Sequence, residues 1–90
     1  MESRVAVNEE VNITAVYFRN NRGMKSYPKR MEYKNEEYTF VEGLQYLVQK
    51  GRKAVRLFDM TDGANNYRLK FDTEAFTWTL VSISGERAIA

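Results

Sequence analysis

Apolar and polar side chains alternate along most of this chain, and that alternation limits the folds open to it. In the stretch 67–72, YRLKFD, each apolar residue is followed by a charged one. A period of two indicates a β-strand with one buried face and one solvent-exposed face. The stretch 11–19, VNITAVYFR, has the same period and is rich in β-branched and aromatic residues. We therefore expect an antiparallel sheet to make up most of the fold.

Turn-forming residues separate the alternating segments. Asn20–Gly23 follows the first strand, and the second strand, about 25–34, begins near Pro28, the only proline. A turn around Asn35 leads to a short third strand, EEYTF. Further along, KAVRLFDM, NYRLKFD and FTWTLVSIS are joined by the turns TDGANN and DTEA. These last three segments predict a meander of consecutive strands.

One segment breaks the alternation and predicts a helix over residues 40–50. Thr39 and Glu42 have the spacing of a capping box, in which each side chain satisfies a backbone amide of the first turn. Gly51 follows as a C-terminal stop. Such a short helix is marginal alone in water and must pack on the sheet. Its apolar stripe would consist of Val41, Leu44, Leu47 and Val48.

These elements predict an α+β domain in the order β-β-β-α-β-β-β. A twisted antiparallel sheet of five or six strands would carry the helix on one face, and closure towards a barrel stays open. Ninety residues suffice for one domain, expected over 11–84, with disordered tails at 1–10 and 85–90. The core is expected under the helix, from Leu44, Leu47, Leu69, Phe71 and Trp78.

The composition excludes most familiar catalytic chemistry. The chain has no cysteine and no histidine, which removes thiolate sites, the commonest general base and the commonest zinc ligand. Asp59 and Asp62 bracket a turn, but their spacing does not match a calcium loop. No phosphate loop or nucleophile motif is present. We expect a non-enzyme without metal or cofactor; an enzyme using carboxylate, lysine or tyrosine groups is the less favoured alternative.

Basic side chains are concentrated in two segments. Residues 19–34 carry six of them against Glu32 alone, and residues 50–56 carry four with no acid. Such clusters can bind nucleic acid through phosphate contacts, but no recognition motif accompanies them, and we favour the simpler explanation that they coat a solvated hairpin and a helix terminus. The candidate nucleic-acid ligands are Arg19, Arg22, Lys25, Lys29, Arg30, Lys34, Lys50, Arg52, Lys53 and Arg56.

Several segments together resemble a group of small bacterial domains with a proline-led, aromatic-rich hairpin. They are P28-K-R-M-E-Y33, Y38-T-F40, R-L-F-D and Y67-R-L-K-F-D, and the likeness spans residues 27–80. The resemblance implies a bacterial, intracellular, single-domain protein and transfers no site and no activity.

The remaining expectations concern partners and location. The N-terminal MESRVAVNEE lacks the apolar core of a signal peptide, and no apolar run is long enough to span a bilayer, so we expect a cytoplasmic protein without a membrane partner. The favoured function is protein–protein interaction, including self-association as a homodimer, through an exposed strand edge or the mixed face of the first strand. Nucleic-acid binding is the alternative.

Overall fold

The fold is all-β. The computed structural model describes residues 3–20 and 23–85, and these ranges contain no helix, so the predicted α+β class is wrong. The seven strands are β1 Ser3–Asn20, β2 Gly23–Tyr33, β3 Glu36–Thr39, β4 Glu42–Lys50, β5 Lys53–Thr61, β6 Asn66–Asp72 and β7 Thr77–Gly85.

The strands form one antiparallel sheet in the order β3-β2-β1-β7-β6-β5-β4, curled into a half-barrel. Every ladder joins strands that are consecutive in the chain, apart from the ladder between β1 and β7. Because neighbouring strands alternate in direction, the β1–β2 connection and the β4–β5 turn lie at the same end of the sheet, here called the upper end. The β2–β3 turn and the β5–β6 loop lie at the lower end.

The strand β1 is long because its two halves have different main partners. Residues 3–11 pair with β7, and residues 12–20 pair with β2. Residues 3–10, which the sequence assigns to a tail, therefore lie within β1. The register shifts between Ala6 and Glu9, where Asn8 has a φ of 53°, and irregularities of this kind bend a strand and help a sheet to curl. Residues 86–90 lie outside the described part of the chain.

A two-residue connection carries the chain from one edge of the sheet to the other. The Phe40 amide donates to the Lys29 carbonyl of β2 at 2.9 Å, and the next amide, of Val41, donates to the Thr61 carbonyl of β5 at 2.8 Å. Thus β3 continues the ladder with β2, whereas β4 pairs with β5. Above this point, β2 and β4 face each other without a shared ladder, and we call the opening between them the seam.

The predicted helix over 40–50 is the strand β4. All nine of its residues pair with β5, and its turn, Gly51–Arg52, has a φ of 61° at the glycine. Leu44 and Leu47, expected in the core, are 65% and 66% exposed. In a strand they point to opposite faces, so they form no stripe. Pairing with β5 supplies a full backbone ladder, which a ten-residue helix could not match by propensity alone.

The core lies on the inner face of the half-barrel. Its buried residues are Val11, Met31, Phe40, Phe58, Met60, Tyr67, Leu69 and Leu80. Trp78 and Phe71 pack against this cluster, with ring centroids 4.7 Å apart, and the Trp78 centroid lies 5.3 Å from that of Phe58. The core positions predicted for Leu69, Phe71 and Trp78 are confirmed, and those predicted for Leu44 and Leu47 are wrong.

Candidate interaction site at the β4 edge

The fold divides the predicted nucleic-acid ligands between the two ends of the sheet. The backbone positions of Arg19, Lys25, Lys50, Arg52 and Lys53 lie at the upper end. Arg30 and Lys34 lie near the β2–β3 turn at the lower end, where the Lys34 ammonium is 5.3 Å from the Tyr33 ring centroid. Arg22, together with the side chains of Arg19, Lys25 and Lys50, lies outside what the structure describes.

Two of these cations are paired with acidic neighbours. Arg30 Nε lies 3.2 Å from Glu37 Oε1 across the β2–β3 ladder. Lys53 Nζ lies 3.8 Å from Asp72 and 3.5 Å from Glu74. All three ion-pair distances involve partly exposed groups, so each contributes little to stability. They nevertheless reduce the positive charge that a phosphate would meet.

Arg56 has a structural position on the inner face of the half-barrel. Its Nη1 donates to Ser26 Oγ of β2 at 3.4 Å, and its guanidinium lies 5.3 Å from the Phe58 ring centroid. With the Gln45 amide oxygen turned inward, that oxygen accepts from Arg56 Nε and Nη2 at 2.9 and 2.8 Å. Arg56 therefore joins β5 to β4 and, across the seam, to β2, and each of its three guanidinium nitrogens donates one hydrogen bond within the protein.

The strand β4 has an unprotected free edge. One side of β4 pairs with β5, and within the described residues the other side has no ladder partner. Its interior, residues 43–49, has the sequence GLQYLVQ, with no charge and no proline. Leu44 and Leu47 are two-thirds exposed and Tyr46 is 39% exposed. Proteins usually protect edges with short strands, charges or proline, so this edge is open to pairing with another strand.

A polar network on the outer face holds Tyr46 in place at the middle of β4. The Tyr46 hydroxyl donates to Asp59 Oδ2 at 2.5 Å. Arg68 Nε and Nη2 donate to the two Asp59 oxygens at 2.8 and 3.0 Å. The hydrogen bonds from Arg68 lower the pKa of Asp59, and the hydrogen bond to Asp59 raises the pKa of Tyr46. Asp59 stays ionised and anchors the ring from β5.

The seam contains an apolar cleft at its lower limit, beside the Phe40–Val41 connection. The cleft has a volume of about 310 Å³. It is lined by Val16, Tyr27, Pro28, Lys29, Phe40, Val41, Glu42 and Met60. Lys29 Nζ donates to the Phe40 carbonyl at 3.1 Å, so this cation too has a partner. The cleft adds apolar surface next to the free edge of β4.

The carboxylates near the predicted turns serve the fold. Asp62 accepts from the Ala64 and Asn65 amides at 2.9 and 2.8 Å and from the Tyr67 hydroxyl at 2.7 Å. Burial opposes ionisation of Asp62, but these hydrogen bonds outweigh it and lower its pKa. Asp62 therefore stabilises the β5–β6 loop, whereas Asp59 lies within β5. Among the described residues, no group of three or more acidic, histidine or cysteine side chains could hold a metal ion.

Sequence reasoning missed the site itself. An exposed strand edge was expected, but the residues of that edge were assigned to a helix. The available signal was the pair of segments LVQK and KAVR flanking Gly51–Arg52, which is the pattern of a hairpin with a two-residue turn.

Comparison with known proteins adds no functional assignment. No family model, curated protein or solved structure matches this chain. Within the described ranges, no helix has the length and apolar character needed to cross a membrane.

Proposed function

We propose that the protein is a small non-catalytic interaction domain that binds another protein at the free edge of β4. One observation carries the proposal: a nine-residue edge strand whose interior is uncharged and whose leucines are two-thirds exposed. An extended partner segment could add a strand there, with backbone hydrogen bonds providing affinity and alternate side chains providing specificity.

The side chains on both faces of β4 support binding of a protein strand. Leu44 and Tyr46 point to the outer face, and Leu47 points to the inner face. An added strand would cover apolar groups on each face as well as the unpaired backbone groups. A small ligand confined to the seam cleft would leave most of this edge uncovered.

The chemistry of the chain supports a non-catalytic role. Histidine and cysteine are absent from the sequence. Two acidic side chains close to β4 are occupied, since Asp59 is held by Arg68 and Tyr46, and Asp62 by backbone amides and Tyr67. A general acid or base needs a free lone pair or proton directed at a substrate. These two carboxylates instead use their lone pairs in hydrogen bonds within the protein.

Site-specific photo-crosslinking tests the proposal in living cells. A photoreactive phenylalanine analogue replaces Leu47 in one variant and Phe76 in another; Phe76 is 77% exposed in the β6–β7 turn, and β5 separates β6 from β4 in the sheet. We expect a discrete protein adduct, either with the same chain or with a different one, from position 47 only. Equal labelling at both positions, or no adduct at position 47, would contradict the proposal.

A second candidate function is nucleic-acid binding at the upper end of the sheet. The topology supports it, because the β1–β2 connection and the β4–β5 turn lie at that end, so part of each basic segment is at the same end of the sheet. Arg52, exposed at the turn, makes no ion pair with a described acidic residue and is the best-placed cation. Arg56, Arg30 and Lys34 are removed from this candidate site by their contacts or position.

Titration with labelled single- and double-stranded oligonucleotides at two salt concentrations tests this candidate. Binding through several phosphates should weaken steeply as salt rises, and Arg52→Gln should reduce both the affinity and the salt slope. Lys34→Gln, at the lower end, provides the matched control with the same loss of charge. Dissociation constants weaker than about 10⁻⁴ M at physiological salt would eliminate this function.

A further inference from the structure

We propose that the occupant of the β4 edge is a second copy of this chain, paired antiparallel to it with Tyr46 opposite Tyr46 of the other copy. The inference rests on the proposed function and names its partner. The sequence of β4, EGLQYLVQK, is complementary to itself when reversed, with an acid at one end and a base at the other.

The geometry of the pairing restricts the possible registers. Two identical strands that pair antiparallel are related by a two-fold axis perpendicular to the sheet, so residues on the same face must pair. With the axis at Tyr46, all nine residues of each strand find a partner. A slip of two residues in either direction leaves two positions of each strand unpaired and separates Glu42 from Lys50. The Tyr46-centred register is therefore the most complete.

The side-chain pairs in this register are favourable on both faces. On the outer face, Glu42 lies opposite Lys50 of the other copy, and Leu44 lies opposite Val48. On the inner face, Gln45 lies opposite Leu47. No like charges meet, and each opposite-charge pair occurs twice because of the symmetry. Cross-strand pairs of these kinds stabilise antiparallel ladders.

The described structure already prepares the centre of this contact. The hydrogen bond from the Tyr46 hydroxyl to Asp59, itself held by Arg68, restricts the ring before any partner arrives. Restricting a side chain in advance lowers the entropy lost on association. Covering Leu44 and Leu47 in both copies removes four two-thirds-exposed leucines from water.

Analytical ultracentrifugation of the wild-type chain is the first test. We expect a species of about twice the 10.6 kDa chain mass at protein concentrations up to about 100 μM. Leu47→Lys should raise the dimer dissociation constant at least about tenfold, since the symmetry applies the change twice. Phe76→Lys is the matched control and should leave it unchanged. A wild-type monomer at every concentration would overturn the inference.

Single cysteines test the register, because the natural chain has none to interfere. Under mild oxidation, Tyr46→Cys should form a disulfide-linked dimer. Leu44→Cys alone should not, because residues 44 of the two copies are four residues apart along the ladder, about 13 Å. A mixture of Leu44→Cys and Val48→Cys should form mixed dimers, and it probes the register without altering Tyr46. Self-linked Leu44→Cys dimers, or no link in the mixture, would overturn the inference.

The two proposals fail in different ways. A monomeric wild type that still gives a discrete adduct with another protein from position 47 would overturn the second-copy inference and leave the interaction function standing. A chain that is monomeric and forms no adduct from position 47 would contradict both.

Discussion

At the scale of single residues, Asp59 organises the polar contacts of the outer face. It accepts hydrogen bonds from Arg68 on β6 and from Tyr46 on β4, while belonging to β5. Three adjacent strands are thus joined by one carboxylate. Because the contact requires the ionised form, it makes stability depend on pH.

We expect the free energy of unfolding to fall as the pH drops below about 4. The pKa values of Asp59, Asp62 and Asp72 are all lowered in the folded state from an ordinary value of 3.8. The unfolded chain therefore takes up protons first, so this stabilisation is complete above pH 3.8 and is lost as the pH falls through the folded-state values. Urea unfolding at several pH values between 7 and 2 measures the loss.

Substitution of Arg68 tests the contribution of Asp59 to that pH dependence. Arg68→Gln should cost about 1 kcal/mol at pH 7, because the pair is partly exposed to solvent, and should flatten the decline below pH 4. Arg52→Gln, the same change at an exposed arginine that makes no ion pair with a described residue, is the control and should change neither quantity appreciably. If the free energy of unfolding of Arg68→Gln fell below pH 4 as steeply as that of the wild type, Asp59 would not contribute to the pH dependence.

Gly43 is the residue at which β4 tolerates no side chain. A Cβ at this position would lie 2.7 Å from the Asp59 carbonyl oxygen and would collide with the Met60 sulfur. Gly43→Ala should therefore destabilise the fold by about 1–3 kcal/mol, although alanine suits strands better than glycine. Gly51→Asn is the control, because a Cβ added at Gly51 would meet nothing within 4 Å and asparagine tolerates its φ of 61°. Equal unfolding midpoints for the two variants would contradict this reading.

At the scale of elements, the strands were predictable and the β4 segment was not. Residues 67–72 have one buried and one wet face, so their period of two is unambiguous. Residues 41–48 carry Val41, Leu44, Leu47 and Val48, a spacing that fits a helical stripe equally well. An edge strand with apolar groups on both faces has no period of its own, because neither face is required to be polar or buried. Only the pairing of this segment with β5, which is a tertiary contact, distinguishes the strand from the helix.

The candidate site was also predictable only in part, because its position depends on tertiary contacts. An exposed strand edge was anticipated as an interaction surface, because unpaired backbone groups attract partners. Its location depends on which strands lie at the ends of the sheet, and strand order cannot be read from local patterns. The charge of Arg56 makes it a candidate nucleic-acid ligand. Its inner-face contacts with Gln45 and Ser26 show that a charged side chain is not always available to bind a phosphate.

A pair of substitutions at the Phe40–Val41 connection separates the observed strand from the predicted helix. Phe40 is 2% exposed and its ring centroid lies 5.4 Å from that of Tyr67, so Phe40→Ala should cost about 3–5 kcal/mol. Val41 is 65% exposed, so Val41→Ala should stay within about 0.5 kcal/mol of wild type. A helix packed through Val41 would instead make the valine substitution costly. Chemical unfolding of both variants decides between the two structures.

At the scale of the whole molecule, the sheet consists of two meanders joined by one long-range ladder. The first comprises β1–β3 and the second comprises β4–β7, and the β1–β7 ladder connects them. Each meander forms from contacts local in sequence, whereas the β1–β7 ladder must close nearly the whole chain. Long-range closure is entropically costly and slows folding.

Stopped-flow kinetics should therefore show that the β1–β7 ladder limits the folding rate. Val11, buried and paired with Trp78, reports on this ladder, and Val11→Ala should cost about 2 kcal/mol, mainly through slower folding. Tyr27→Ala, which removes the ring contact with Phe58 across the seam, should act mainly by faster unfolding, because that contact forms after the ladder. Similar effects of both variants on the folding arm would contradict this order of events.

The seam can open locally without unfolding of the sheet. Above Phe40, the strands on either side of the seam share no ladder within the described residues, and side-chain contacts such as Arg56 with Ser26 and Tyr27 with Phe58 connect β2 to β5 across it. Small separations there break no ladder, so deuterium should enter the backbone amides flanking the seam long before it reaches those of β6 and β7. Raising the protein concentration should slow deuterium uptake along β4 alone, because a paired strand protects its amides. Hydrogen exchange along β4 therefore measures the fraction of chains whose β4 edge is occupied.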